Sequence, residues 1–356
     1  MFRIFSIIAL SLFFYVNLFS QAPAGYYNSA QGLTGLALRA ALHNIIDDHN
    51  SVSYSSLYTH FESTDKKSNN TVWDMYSDVP GGTPPYTYMY NSSDECGNYN
   101  NEGDCFNREH SWPASWFNDS YPAYSDLFHL YPTDGYVNNR RSNHPFGEVG
   151  SSSWTSQNGS KVGTSNYSGW TGVTVFEPID EYKGDFARTY FYMSTRYYTE
   201  DASWPANYNS MVNRSSINPK PLEMLLQWHH SDPVSTKEIN RNNTVYAIQG
   251  NRNPFIDNPE YADAIWDPNY QTAYFYSLSK TQVFPNPAND WVYVVTPQNY
   301  ITIHIRILDS FGNTMFSKEY SNCNEIQIDI SNYNKGCYCV MMHSDTELFT
   351  QKIMIF

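Results

Sequence analysis

The densest run of residues able to do chemistry lies between Arg108 and Glu148, in the segments NREHSWPASW and DLFHLYPTDGYVNNRRSNHPFGEV. It gathers Arg108, Glu109, His110, Asp126, His129, Asp134, Arg140, Arg141, Asn143 and His144. Cleaving a phosphodiester takes a base that removes a proton from water, and histidine titrates in the right range. It takes a hard cation to neutralise charge on phosphorus and on the leaving oxygen, and Mg2+ prefers oxygen ligands such as Glu and Asn. It gains from arginine held against the phosphate oxygens. Spacing alone leaves each member open. His110 reads equally as a hydrogen-bonded loop histidine, Arg140 and Arg141 as a solvated helix face, and Asn143 as a turn or cap residue.

A second group is His229, His230 and Asp232. His229 and Asp232 could ligate a metal. The structural reading, which we favour, has Asp232 capping the following helix and His229 packing near Trp228.

Stepping outward, Leu33, Leu36, Leu38, Leu42, Ile45 and Ile46 recur at helical spacing and end at Asp47 and Asp48. Residues 62–170 are rich in Asn, Ser, Gly, Tyr and Pro, which predicts long loops and short strands. Helical patterning returns over 186–200, through Phe186, Tyr190, Met193 and Tyr197, and again over 221–230 and 233–248. Composition changes near 282, where short alternating segments such as ITIHIRIL and NEIQIDI are separated by turns. These predict a small all-β sandwich, with a boundary at 281/282 and the chemical residues outside it. The fold class expected is α+β.

The 356-residue chain has 21 basic and 35 acidic residues, a net charge of -14, so a broad basic face for nucleic acid is excluded as the default. Its 17% aromatic content argues against disorder. The start, MFRIFSIIALSLFFYVNLFS, has one positive charge, an apolar run and small residues near Ser20, which predicts a signal peptide over 1–20. No later run is apolar for long enough to span a bilayer, so no stable membrane insertion is expected once it is removed. Five cysteines fit an oxidising compartment. Cys96 and Cys105 flank a Gly/Asn-rich loop and are expected to pair, while Cys323, Cys337 and Cys339 lack the spacing of a zinc site.

The segments NREHSWPASW, DGYVNNRRSNHPFGEV, ARTYFYMSTRYY, LLQWHHSDPVSTKEINRN and IQGNRNPFID together resemble the bacterial endonuclease I family, in order over nearly all of 30–268. The resemblance implies a secreted, metal-dependent, sequence-nonspecific endonuclease of the His-Me finger (ββα-metal) class, acting on DNA, RNA or both and leaving 5′ phosphates. It assigns the general base to His110 and the metal ligands to Glu109 and Asn143, with Mg2+ as cofactor and Mn2+ or Ca2+ as alternatives. Arg108, His129, Arg141 and Arg188 become candidates for substrate contact. One departure is Phe128, which stands where the family commonly has histidine.

Residues 282–356 resemble the type A sorting domain of type IX secretion. The resemblance is carried by Pro285-Asn286-Pro287, the turn Asp309-Ser310-Phe311-Gly312, Ile328-Asp329-Ile330-Ser331, Gly336-Cys337-Tyr338 and the ending Gln351-Lys352-Ile353-Met354-Ile355. It implies passage through the periplasm to the cell surface or medium, with the secretion machinery as a partner. A monomer with 21–281 as nuclease domain is expected. The rival is a degenerate nuclease scaffold whose Tyr- and Trp-rich surface binds glycans or nucleic acid by stacking.

Overall fold

The computed structural model describes residues 22–95, 97–267, 281–344 and 348–356. The expected signal peptide and Cys96 lie outside the described residues. The chain divides into two compact units between Asp267 and Pro268.

In the first unit, α1 (Gly35–Ile46) buries Leu38, Arg39, Leu42, His43 and Ile46, a stripe at helical spacing. Leu33 and Leu36 of the apolar series are exposed instead, because Leu33 precedes the helix and Leu36 lies on its outer side. After α2 (Leu57–Thr64), the loop-rich stretch holds a two-stranded antiparallel sheet, β1 (Phe106–His110) with β2 (Leu130–Asp134), followed directly by α3 (Gly135–Arg141). A three-stranded antiparallel meander comes next, β3 (Val149–Thr155), β4 (Lys161–Tyr167) and β5 (Trp170–Glu177).

The next helix, α4 (Lys183–Arg196), is buried along its entire length. It contacts α1 and later elements that include α5 (Pro219–Ser231), α7 (Pro254–Asp257) and, through ring contacts of Phe191 with Trp266, α8 (Tyr261–Trp266). A short hairpin, β6 (Val212–Asn213) with β7 (Ser216–Ile217), precedes α5. A helix buried all round must pair its polar groups, since an unpaired buried charge costs several kcal/mol, roughly. Accordingly Asp185 of α4 takes Lys237, at 2.6 Å, and Arg188 takes Glu238 in a two-pronged pair, both partners on α6 (Thr236–Gln249).

The start of α6 is a capping box: Ser235 accepts from the Glu238 amide, and the Glu238 carboxylate accepts from the Ser235 amide at 2.8 Å. Asp232, expected to cap this helix, instead accepts the Gly184 amide at 2.8 Å and caps α4. Ser235 lies immediately before the first turn, whereas Asp232 lies across from the N-terminus of α4.

In the second unit, β8 (Gln282–Phe284), β9 (Trp291–Leu308), β10 (Thr314–Asp329), β11 (Gly336–Ser344) and β12 (Leu348–Ile355) are joined by antiparallel pairing in the order β10-β9-β11-β12. The first residues of β9 pair with β8 and its last with β11, so one long strand serves both halves. Alternate residues, including Val292, Val294, Ile303, Ile305, Ile307, Val340 and Ile353, share a single core. Cys323, Cys337 and Cys339 are free.

Candidate active site

In β1, alternation sends Glu109 inward, with 1% of its surface exposed, while Arg108 and His110 lie on the other face and stay partly exposed. Glu109 stands opposite Tyr131 in β2, and His110 opposite Leu130. At the far end of the hairpin Asp134 turns the chain into α3: one of its oxygens accepts the Val137 amide at 2.7 Å, and the other accepts from Tyr88 Oη at 2.6 Å and the Gly103 amide at 2.8 Å. A helix of this length runs about 10 Å at ~1.5 Å per residue. That brings its last residue, Arg141, back to the Glu109 end of the hairpin. There Arg141 donates to the carbonyl of His110 at 2.8 Å and to that of Ser111, and pairs with Glu109 Oε1 at 3.0 Å. Asn143 follows two residues later, exposed, after Ser142 with φ 53°.

Glu109 Oε1 also accepts from Tyr76 Oη at 2.9 Å. Burial pushes the Glu109 carboxyl up, and Arg141 and the Tyr76 hydroxyl hold it down. Its Oε2 has no protein partner among the described residues. The oxygen donors at this end of the hairpin are thus the Glu109 carboxylate and, two residues after Arg141 in the chain, the amide of exposed Asn143. Hard oxygens of this kind suit Mg2+ better than a soft metal.

The His110 ring is held by aromatics. It lies 5.1 Å from Tyr124 and 5.9 Å from Tyr54, stacked with both, and 6.0 Å from Phe117. Burial, reinforced by His129 and by Arg141 and Arg108, lowers its pKa to about 3. The neutral ring has one N–H. Nε2 lies 3.1 Å from the carbonyl of Tyr124, which can only accept, so Nε2 carries the hydrogen and Nδ1 keeps its lone pair. An imidazole fixed in this tautomer can take a proton from water at Nδ1.

The other expected site residues fall in different places. Arg108 lies over the rings of Tyr54 and Tyr58, 4.0 and 4.8 Å from their centroids, and donates to the Tyr54 carbonyl at 3.0 Å. His129 is 0% exposed and its Nε2 binds the Ala123 carbonyl at 2.7 Å. Arg141 and Arg188 are 1% and 0% exposed, with their guanidinium groups spent on Glu109 and Glu238. As the side chains stand, none of these three faces solvent. Phe128 is buried against Tyr192, ring centroids 4.6 Å apart, and so faces the core. His229 is buried between Arg188 and the Pro259 carbonyl, and His230 pairs with Asp263, so the two do not converge with Asp232 on one point.

The structure adds residues that spacing did not indicate. Tyr76 orients Glu109, while Tyr54 and Tyr124 position His110. Nothing marked them among 31 tyrosines. Arg140 is exposed on α3, donates to Tyr136 Oη at 2.6 Å and has no carboxylate partner among the described residues.

The family profile of endonuclease I matches residues 34–260, which span the hairpin, α3 and the helices around α4. The chain belongs to the endonuclease I family. An extracellular ribonuclease of Bacillus amyloliquefaciens is 37% identical over 248 residues, covering 68% of this chain and 78% of that protein. An extracellular ribonuclease of Bacillus subtilis (strain 168) is 36% identical over 250 residues, with the same coverage of each. Endonuclease-1 of Buchnera aphidicola subsp. Baizongia pistaciae (strain Bp) is 29% identical over 135 residues, 37% of this chain and 46% of that one. The profile of a secretion system C-terminal sorting domain matches 282–356. This endonuclease I family member is thus a secreted nuclease, a hydrolase of nucleic acid addressed to type IX secretion. Among the described residues no helix is long and apolar enough to cross a membrane.

Proposed function

We propose that the protein is a metal-dependent, sequence-nonspecific endonuclease of the His-Me finger class, cutting RNA and DNA to products with 5′ phosphates. The observation that carries this reading is the end of the β1/β2 hairpin. There a neutral histidine with a free Nδ1 neighbours a buried carboxylate with one free oxygen, and an exposed asparagine follows at the helix end. His110 accepts a proton at Nδ1 from the attacking water, while Tyr124 holds the opposite edge of the ring. The approaching phosphate is an anion, and its charge raises the basicity of the ring it faces. Glu109 and Asn143 hold Mg2+, with Mn2+ or Ca2+ as substitutes. Once bound, the ion supplies Lewis-acid stabilisation of the leaving 3′ oxygen. Tyr76 and Arg141 fix the Glu109 carboxylate through Oε1 and leave Oε2 for the ion. Arg108, on the same face of β1 as His110, and exposed Arg140, next to Arg141, are cations that remain open to a phosphate.

RNA as substrate is suggested by the two extracellular ribonucleases, and DNA is included because the resemblance implies a nuclease acting on DNA, RNA or both. With a net charge of -14 the enzyme has modest, salt-sensitive affinity for nucleic acid. The test is incubation of the purified mature protein with plasmid DNA and with RNA, each with Mg2+ or EDTA. Degradation of both only with the metal supports the reading. No degradation of either across several divalent ions overturns it in favour of a binding protein.

A further inference from the structure

A second place in the first unit concentrates ligand atoms, remote in sequence from the hairpin. His43 lies in the last turn of α1 and is 5% exposed. Its Nδ1 sits between the carbonyls of Thr195 and Arg196, at 3.2 and 3.0 Å. Carbonyls only accept, so Nδ1 carries hydrogen and Nε2 points away with its lone pair. Oxygens gather at this end of the ring. Thr199 Oγ1 is 2.8 Å and Asp47 Oδ2 3.7 Å from Nε2, and one ligand atom each of His43, Asp47 and Glu200 lies within 4.8 Å of the other two.

This place demands positive charge. Asp47 and Glu200 bring two negative charges and Arg196, paired with Glu200, brings one positive. The carbonyl ends of α1 and α4 both terminate here and add their partial negative charge. The Nε2 lone pair can accept the Thr199 hydroxyl hydrogen or bind a divalent cation. The hydroxyl serves the nitrogen alone. A cation binds the nitrogen and both carboxylates together. A backbone carbonyl on the opposite ring N–H is the usual support of a metal-binding histidine, and His43 and Asp47 are one helical turn apart.

We propose that His43, Asp47 and Glu200 form a divalent-cation site of the zinc class, independent of catalysis, that ties the C-terminal end of α1 to that of α4. One imidazole nitrogen with two carboxylate oxygens is a donor set for zinc or a neighbouring transition metal, not for Mg2+. Water or the Thr199 hydroxyl completes the shell.

The mature protein, stripped with chelator and dialysed, is titrated with Co2+ and followed by its visible absorption, with Zn2+ titrated by calorimetry. The titration is repeated on Glu109→Gln, on Asp47→Asn/Glu200→Gln, and on all three changes together. The expected pattern is one equivalent of Co2+ with visible bands retained in Glu109→Gln, and at least tenfold weaker binding whenever Asp47 and Glu200 are changed. Zn2+ should raise the melting temperature of Glu109→Gln and not that of the triple variant. Activity of Asp47→Asn/Glu200→Gln in saturating Mg2+ should match the wild type. Equal binding with and without the two carboxylates overturns the proposal. Both carboxylates are partly exposed, so the double variant should fold even if replacing buried His43 does not.

Discussion

Arg140 and Arg141 are neighbours in sequence and opposites in environment. Arg141 is sealed against Glu109 and two carbonyls, so Arg141→Met leaves a buried carboxylate without its cation. That should cost about 3–5 kcal/mol in urea unfolding, the usual penalty for removing one partner of a buried pair. Arg140→Met should change stability by less than about 0.5 kcal/mol, raise KM, and reduce the salt dependence of binding by about one unit of slope. Equal loss of stability in the two variants would mean that the α3 face has been misread. At His110 the ring is already neutral and in the right tautomer, so replacing it removes a base without disturbing a charge network. His110→Ala should lower kcat by about 10²–10⁴, the share of a positioned general base, with KM little changed. Near-normal turnover at neutral pH would remove His110 from the chemistry. Glu109, His110 and Asn143 were singled out as a set by the resemblance of their motifs to the family, not by spacing. The fates of His129, Arg141 and Arg188 were not, because spacing does not say on which side of a strand or helix the interior lies.

At the level of elements, the site is a hairpin and a helix braced by one buried carboxylate. Asp74 accepts the Tyr76 amide at 2.8 Å and the Asp134 amide at 3.0 Å. Through the first it places the residue that holds Glu109, and through the second the residue that caps α3. Burial, with Asp134 beside it, pushes the Asp74 pKa up to about 7. Tyr76→Phe deletes only the hydroxyl on Glu109. It should weaken Mg2+ binding by calorimetry while stability changes by about 1 kcal/mol, the net worth of one hydrogen bond. Unchanged metal affinity would show that Arg141 alone orients the carboxylate. Four of the helices were legible to within a few residues: apolar spacing located α1 and α4, and the stop at Asp232-Pro233 separated α5 from α6. The stretch read as loops and short strands contains β3, β4 and β5, whose burial is too irregular to give a clean alternation. Asp232 was misread because a cap that acts across the fold leaves no local signature. Cys105 enters the same element, four residues before Glu109, and its pairing with Cys96 is an expectation with a direct test. Reduction, or Cys96→Ser with Cys105→Ser, should lower stability by about 2–3 kcal/mol for so short a loop. Peptide mapping that finds both as alkylated free thiols would end that reading.

For the whole molecule, the proposed chemistry falls at 108–143 in the first unit, and the matched sorting domain at 282–356 lies in the second. The second unit buries its own aliphatic residues from β8 to β12. The first unit closes around α4 with its charges paired internally, Arg188 with Glu238, Lys237 with Asp185, and Arg241 with Asp65. A unit whose core and ion pairs are complete within itself should fold alone. A chain of residues 22–281 should therefore hydrolyse RNA and DNA with the same activity per mole as the full mature protein, and melt at a similar temperature. In the native host, removal of 282–356 alone, with residues 1–21 kept, should abolish release from the cell, with nuclease activity retained in the periplasmic fraction. The two measurements separate the roles. Loss of activity per mole in the purified 22–281 chain would mean that the second unit completes the core or the substrate surface. Normal release of the truncated enzyme would mean that residues 282–356 are not the signal the secretion machinery reads.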